Sequence, residues 1–215
     1  MKRTDRSVGF EMSESMADPR ADSRRTAILE AALRVFSRFG YHLTSIDHLA
    51  AAAQTSKGGI YFHFPSKQAL FLALLDRAAS QLRTRVEAAM AAAPDPVAKA
   101  DAALRTVLHV FAAHRDLARL LLVETLGAGR EFHQRRLQIQ DEFVSLIRQQ
   151  LDAAVAAESI PPLDTTLAAR VWFGALNEVV TSWALAERPG PLEEVYPTLR
   201  SLLLRSIGML TEAQP

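Results

Sequence analysis

Apolar side chains recur every three or four residues through most of the chain, which is the spacing of amphipathic helices. The first such stretch, which begins at residue 23, places four apolar residues along one line: Ile28, Ala32, Val35 and Phe39. Gly40 follows them and favours a left-handed C-terminal cap. Because no stretch alternates apolar and polar positions between hairpin turns, the pattern predicts an all-α fold.

Two short helices are predicted after this first one. Thr44 offers a hydroxyl that can cap a helix, and Asp47 three residues later suits the positive end of the helix dipole. After a polar break at residues 54–55, Ser56 is a good cap for a third helix that ends near Tyr61. Three helices with so tight a connection between the last two predict a helix-turn-helix, in which the third helix enters the major groove of DNA.

A long fourth helix is predicted from Lys67 to Ala92, with Ser66 as its cap. At 1.5 Å per residue it spans about 39 Å, enough to reach from a small N-terminal unit into a second one. Breaks at glycine and proline divide the rest into five further helices, at residues 97–114, 116–126, 130–158, 164–187 and 192–210. The sequence therefore predicts about nine helices in three parts, namely a mobile tail at 1–22, a helix-turn-helix domain at 23–67 and a larger helical domain at 68–213.

Composition narrows the class of protein. Apolar residues make up 49% of the 215 residues and charged residues 23%, which is the balance of an ordinary globular domain. Cysteine is absent, which excludes disulfides, zinc–thiolate sites and thiol nucleophiles. Charges interrupt the most apolar stretch, 163–186, and the first 22 residues lack the apolar run of a signal peptide. We therefore expect a cytoplasmic protein with no membrane span.

Positive charge is concentrated at the front of the chain. Residues 1–67 hold ten Lys and Arg against seven Asp and Glu, and the remainder holds 15 against 17. This asymmetry has the direction expected for a polyanion partner. The sequence contains no nucleophile-elbow, metalloprotease, Walker A or dinucleotide-binding motif, so no enzyme activity, cofactor or metal site is predicted.

One segment resembles a known family. Residues 44–71, together with the helix before them, resemble the DNA-binding domain of the TetR family of transcriptional regulators, and the similarity extends over about 23–85. The matching features are Phe39-Gly40, the Thr44-Ser45 cap, Ser56-Lys57-Gly58, the run Tyr61-Phe62-His63-Phe64, and Ser66-Lys67. The resemblance implies a homodimeric repressor that binds a palindromic operator and responds to a small ligand. A DNA-binding protein without an effector is the alternative.

The N-terminus of the third helix is the first candidate DNA contact. Ser56 leaves free N–H groups at the positive end of the helix, and Lys57 adds a cation. Gly58 and Gly59 each weaken a helix by about 1 kcal/mol relative to alanine, and a close approach of the backbone to DNA would explain both. A loose turn without function is the alternative interpretation.

The other candidate phosphate contacts come from two sources. The side chains themselves suggest two cations and two hydroxyls: Arg24, Arg25, Thr44 and Ser45. The resemblance implies three more: Tyr61, His63 and Lys67. Phe64 is expected in the core instead.

Two residues depart from the family pattern. Gln54 stands where glycine is common, and Gly59 stands where many members carry a small side chain that faces the bases. Base recognition is then left to Gln54, Thr55 and Lys57, because glutamine pairs with adenine and lysine with guanine in the major groove.

The predicted helix at 164–187 is apolar around most of its circumference, so it must be buried on two faces. The resemblance implies that the last two long helices form a four-helix bundle with a second copy. The candidate interface residues are Leu167, Val171, Gly174, Leu185, Leu199 and Leu203. A monomeric bundle is the alternative.

The larger domain is also expected to hold an apolar ligand. Its candidate lining residues are Phe111, Leu122, Phe143, Ile147, Trp172, Phe173, Leu176 and Asn177, with Glu178 as a polar group nearby. Aromatic stripes of this kind are ordinarily core, and it is the resemblance that implies a cavity. The segment from Gly174 to Trp183 is similar to that of acyl-CoA-responsive repressors of fatty-acid metabolism. A long-chain acyl-CoA is therefore the first candidate effector, and another lipophilic or aromatic compound is the second.

Overall fold

The computed structural model describes residues 19–124 and 129–209, and those residues form nine α-helices and no strand. In chain order the helices are α1 (Pro19–Leu43), α2 (Ile46–Ala52), α3 (Lys57–His63), α4 (Lys67–Ala91), α5 (Pro96–Ala113), α6 (Arg115–Arg119), α7 (Arg130–Ala156), α8 (Thr165–Leu185) and α9 (Tyr196–Ser206). A π-helical turn, Leu120–Glu124, continues α6, and a 3₁₀ turn, Leu192–Val195, precedes α9. The all-α prediction is confirmed. In the described part of the chain no helix has the length and apolarity needed to cross a membrane.

Several boundaries differ from the prediction. Helix α1 begins at Pro19, so residues 19–22 are helical rather than part of a tail, while the rest of the expected tail lies outside the described residues. Helix α9 ends at Ser206, and residues 210–213 of the predicted larger domain also lie outside them. The predicted helix at 116–126 is instead the short α6 followed by the π-helical turn.

The connection between α1 and α2 is built from local hydrogen bonds. Gly40 has φ 76° and ψ 167°, a positive-φ conformation open to glycine that differs in ψ from the left-handed cap predicted there. The prediction that Thr44 caps α2 was wrong. Thr44 is 2% exposed, and its hydroxyl donates to the carbonyl of Gly40 at 2.7 Å. Ser45 caps α2 by accepting a hydrogen bond from the amide of His48 at 3.2 Å.

A cluster of four aromatic rings joins the helix-turn-helix to the larger domain. Phe36 of α1 and Phe71 of α4 are fully buried and pack edge to face, with ring centroids 4.9 Å apart. Phe132 at the start of α7 lies 5.1 Å from Phe71 and 4.9 Å from Tyr41. Ser37 adds a polar link, since its hydroxyl donates to the carbonyl of Asp116 at 3.0 Å. The two parts therefore share one continuous core.

Candidate DNA-binding surface and ligand cavity

The start of α3 has the geometry expected of a helix that presents its N-terminus. Ser56 caps it, as predicted, by accepting a hydrogen bond from the amide of Gly59 at 3.1 Å. Lys57 and Gly58 are exposed, and a Cβ added at Gly58 would meet no atom closer than 3.7 Å. The fold itself does not require glycine at position 58, so the glycine leaves room for something outside the chain.

Gly59 lies against the side chain of Thr55. A Cβ at this position would collide with the hydroxyl oxygen of Thr55, closer than real Cβ contacts allow. A larger residue at position 59 therefore needs the Thr55 hydroxyl to rotate to another side.

Gln54 forms the turn between α2 and α3 in a left-handed conformation, with φ 50°. Glycine adopts this conformation without strain, whereas other residues pay about 1–2 kcal/mol for it. The family's usual glycine is thus explained by backbone geometry. The Gln54 side chain is exposed at the tip of the turn, where a base or a phosphate can reach it.

Lys57 forms an ion pair with Asp47 of α2, with 2.9 Å between its ammonium and the carboxylate. The hydrogen bond and the negative charge of Asp47 both raise the pKa of Lys57, so the side chain stays cationic. Exposed pairs of this kind contribute little to stability, so DNA can replace Asp47 as the partner of Lys57.

At the end of α3, Phe62 is exposed, and the sequence interpretation gave it no role. Ile60 and Phe64 lie four residues apart and are buried, so the residues between them face outward. Tyr61 is half-exposed and Phe62 is 80% exposed, with the Phe62 ring 5.0 Å from that of His63. The helical register could have predicted this exposure, because only one face of so short a helix can reach the core.

Lys67, a predicted phosphate contact, is tied to the backbone of its own chain, and its contact with phosphate stays a prediction. Its ammonium donates to the carbonyl oxygens of Tyr41 and Thr44, both at 2.9 Å, and lies 4.4 Å from the centre of the Tyr41 ring. Burial lowers the pKa of Lys67. Two of its three N–H groups therefore tie the start of α4 to the α1–α2 connection.

The remaining candidate contacts divide by exposure. Arg24 and Arg25 are exposed on α1, with the Arg25 guanidinium 5.0 Å from the centre of the Phe64 ring. Ser45 is half-buried, but Thr44 is buried with its hydroxyl already bonded, so its side chain cannot serve as a phosphate ligand.

The structure brings all eight predicted ligand-binding residues together around one cavity of about 140 Å³. The predicted residues in its wall are Phe111, Leu122, Phe143, Ile147, Trp172, Phe173, Leu176 and Asn177. Sequence interpretation missed the contribution of α4, which lines the cavity with Leu75, Leu82, Val86 and Met90. Among the described residues that line the cavity, four side chains are polar: Arg136, Gln140, Gln150 and Asn177.

Glu178 is not part of this cavity. Its side chain is exposed and accepts a hydrogen bond from Ser182 at 2.8 Å, so the expectation of a second polar group beside Asn177 was wrong. Trp172 is buried in the wall, and its indole N–H donates to the hydroxyl of Ser206 at 3.0 Å.

The candidate interface residues separate into two groups. Leu167, Val171 and Leu185 of α8 are each more than half-exposed, and nothing lies within 4 Å of a Cβ added at Gly174. On α9 the assignment was wrong. Leu199 and Leu203 are 6% and 7% exposed because they face the core of their own chain. Leu202 is the exposed leucine of α9.

Comparison with known proteins agrees with this architecture. Residues 28–74 match the model of bacterial regulatory proteins of the tetR family, and residues 93–205 match the tetracyclin repressor-like C-terminal domain. The HTH-type transcriptional regulator EthR of Mycolicibacterium smegmatis is 30% identical over 198 residues, which cover 89% of each chain.

Two solved structures share the fold. FadR of Bacillus subtilis in complex with stearoyl-CoA has a TM-score of 0.79 at 23% identity, covering 85% of this chain and 98% of FadR. AibR in complex with isovaleryl coenzyme A and operator DNA has a TM-score of 0.70 at 22% identity, covering 83% and 97%. The helix-turn-helix with its capped third helix, the cavity-bearing helical domain and both family matches lead to one conclusion: the chain is a DNA-binding transcriptional regulator and belongs to the TetR family.

Proposed function

We propose that the protein is a repressor that binds a palindromic operator as a homodimer and leaves it when a small apolar ligand fills the cavity. The observation that carries the proposal is that α4 belongs to both sites. Lys67 anchors the start of α4 to the helix-turn-helix, and four apolar residues of the same helix line the cavity: Leu75, Leu82, Val86 and Met90. A regulator of this kind acts where the chromosome is, so we place it in the cytoplasm.

Ligand and operator are coupled only if the ligand binds one arrangement of α4 better than another. A rigid α4 that tilts to admit a ligand must carry α3 with it, because Lys67 holds two carbonyls of the α1–α2 connection. Two copies of α3 read half-sites about one helical turn apart, so a change in their spacing weakens binding to both half-sites at once. A tenfold loss of operator affinity needs only about 1.4 kcal/mol of coupling.

An acyl-CoA is the first candidate effector. The cavity wall is apolar apart from a few side chains, which suits an acyl chain with a polar end. Two proteins of the same fold were solved with acyl-CoA ligands, one with a long chain and one with a short branched chain. A different lipophilic or aromatic compound is the second candidate, and the walls supplied by Phe111, Phe143 and Trp172 suit it as well.

The dimer surface is proposed to be the exposed apolar stripe of α8 with Leu202 of α9. Large apolar side chains seldom stay in water in such a row, and the bare backbone at Gly174 permits a close helix approach. Dimerisation would place two recognition helices on one face, as an inverted repeat requires.

The test is a competition and release experiment with fluorescently labelled operator. Anisotropy should show much tighter binding to the operator than to random DNA, and palmitoyl-CoA should then release the operator. The chain has two tryptophans, Trp172 and Trp183, so the Trp183→Phe variant leaves the fluorescence of Trp172 alone. Trp172 lines the cavity and Trp183 does not. Its emission should change over the same range of palmitoyl-CoA concentrations. Operator binding that no lipophilic compound alters would support instead a DNA-binding protein without an effector.

A further inference from the structure

The cavity is bordered by long stretches of two helices. Its wall extends from Leu75 to Met90 along α4 and from Arg136 to Gln150 along α7. At 1.5 Å per residue each of these stretches is about 20 Å long, or roughly four turns of helix. The cavity volume of about 140 Å³ is close to that of a cavity that holds one benzene ring, so a linear chain that follows both stretches needs the lining side chains to move apart.

The two ends of the cavity can be placed by the contacts between α4 and α7. Phe71 packs on Phe132, Asp76 pairs with Arg135 at 2.5 Å, and Arg83 lies 3.8 Å from Glu142, so the helices run in the same direction. The Leu75 and Arg136 end therefore faces the helix-turn-helix. The opposite end, at Met90 and Gln150, is also bounded by Ala100, because a short loop folds α5 back along α4.

One unsatisfied hydrogen-bonding group lies in the cavity wall at the end near the helix-turn-helix. The buried atoms without a hydrogen-bond partner among the described residues are Nε of Arg115, Nε of Arg119, Nε of Arg136 and the hydroxyl of Thr181. Arg136 is itself part of the cavity wall. Arg119 comes immediately before the turn whose leucines line the cavity, and Thr181 directly follows Val180, another lining residue. No such group is found at Gln150, within the described part of the chain.

Resting on the proposed function, we infer that Arg136 binds the oxygen atoms of an acyl group whose chain extends toward Met90. A buried guanidinium N–H without an acceptor is costly, and a carboxylate or thioester oxygen satisfies it. The apolar side chains of the wall beyond Arg136 have no hydrogen-bonding group to satisfy, so they contact the methylene groups of the acyl chain. The ligand is thus a linear acyl compound bound with its oxygen end next to α4's link with the helix-turn-helix, where binding affects the operator most directly.

Arg136→Met is the primary test, because it removes the guanidinium and keeps a long side chain. Calorimetry with the full chain should be run with dodecanoate, palmitate, dodecanoyl-CoA and palmitoyl-CoA. Arg148→Met is the matched control, since Arg148 lies on the same helix, pairs with Asp152 at 3.9 Å and does not line the cavity. Arg136→Met should weaken every bound compound about tenfold or more, and Arg148→Met should leave affinities within about twofold of the original. The thermal unfolding transition of Arg136→Met, compared with that of the unaltered chain, verifies that the variant folds.

Ala100→Phe tests the direction of the chain. A larger side chain at the far end should weaken palmitoyl compounds much more than dodecanoyl compounds, because only the longer chain reaches it. Equal weakening of both lengths, or ligand affinity that Arg136→Met leaves unchanged, would overturn the inference while the proposed function stands. Failure of all four compounds to bind the unaltered chain would overturn both the acyl effector and the inference. Preference for the free acids or for the thioesters identifies which form carries the acyl group.

Discussion

At the scale of single residues, the backbone of Gln54 gives the most direct prediction for stability. Its φ of 50° is one that glycine adopts freely, so Gln54→Gly should raise the free energy of unfolding by about 1 kcal/mol. Denaturant unfolding measures this. Gln54→Ala is the control, because it removes the amide but keeps the strained Cβ, and it should bring no gain. Equal stabilities of the two variants would contradict the strain argument.

Lys67 and Lys57 should behave oppositely when each is replaced by methionine. Lys67→Met removes the ammonium that binds two carbonyl oxygens, so it should lower the free energy of unfolding by about 2 kcal/mol. Lys57→Met breaks only the exposed pair with Asp47, so the fold should keep its stability while operator affinity falls about tenfold. Unfolding curves and operator titrations of both variants separate the roles. A destabilised Lys57→Met, or an intact Lys67→Met, would reverse the assignment.

Local residue roles could be predicted from the sequence, and distant ones could not. The caps Ser56 and Ser66 were found because their partners lie three residues ahead. The structural role of Lys67 was missed because its partners precede it by 26 and 23 residues, a distance at which spacing carries no information. Thr44 and Ser45 compete for one cap, and only the position of the Gly40 carbonyl decides between them.

At the scale of helices, Asp101 connects α5 to α9. Its carboxylate accepts hydrogen bonds from Tyr196 at 2.5 Å and from Arg200 at 2.6 Å. Burial alone would raise the pKa of Asp101, but the hydrogen bonds from Tyr196, Arg200 and Arg105 outweigh it and lower the pKa below 3.8. Burial and the bond to Asp101 raise the pKa of Tyr196 to about 12.

These two pKa shifts make the contributions of Asp101 and Tyr196 to stability change with pH in opposite directions. A lowered carboxyl pKa means that the stabilisation by Asp101 is present above pH 3.8 and is lost as pH falls below it. A raised phenol pKa means that the contribution of Tyr196 is complete below pH 10 and is lost as pH rises toward 12. In a phenolate absorbance titration, Tyr196→Phe should remove the ionisation near pH 12. Loss of an ionisation near pH 10 instead would contradict the hydrogen bond.

Helix faces show where pattern analysis stops. Leu199 and Leu203 of α9 are buried, but they are covered by their own chain and not by a second copy. A periodic pattern reports that a face leaves water, and it does not report which body covers it. Four of the five cavity residues on α8 were identified and Val180 was not, whereas all four on α4 were missed, because an apolar line along a helix is equally well explained as ordinary packing.

At the scale of the whole molecule, Gly174 tests the proposed dimer. No atom of the same chain lies within 4 Å of a Cβ there, so Gly174→Arg should fold normally and dissociate the dimer. Gly190→Arg is the matched control, because that glycine is equally open but lies outside the stripe on α8. Sedimentation velocity should show a monomer for the first variant and a dimer for the second. A dimeric Gly174→Arg protein would place the interface elsewhere.

The central claim is that the ligand and the operator favour different arrangements of the same helix, α4. The most direct test is the dissociation constant of palmitoyl-CoA measured twice, with free protein and with operator-bound protein. Linkage requires their ratio to equal the ratio of operator affinities without and with ligand. The account predicts that both ratios agree and that operator-bound protein binds palmitoyl-CoA at least about tenfold more weakly, equivalent to about 1.4 kcal/mol. Equal affinities for free and operator-bound protein would contradict it.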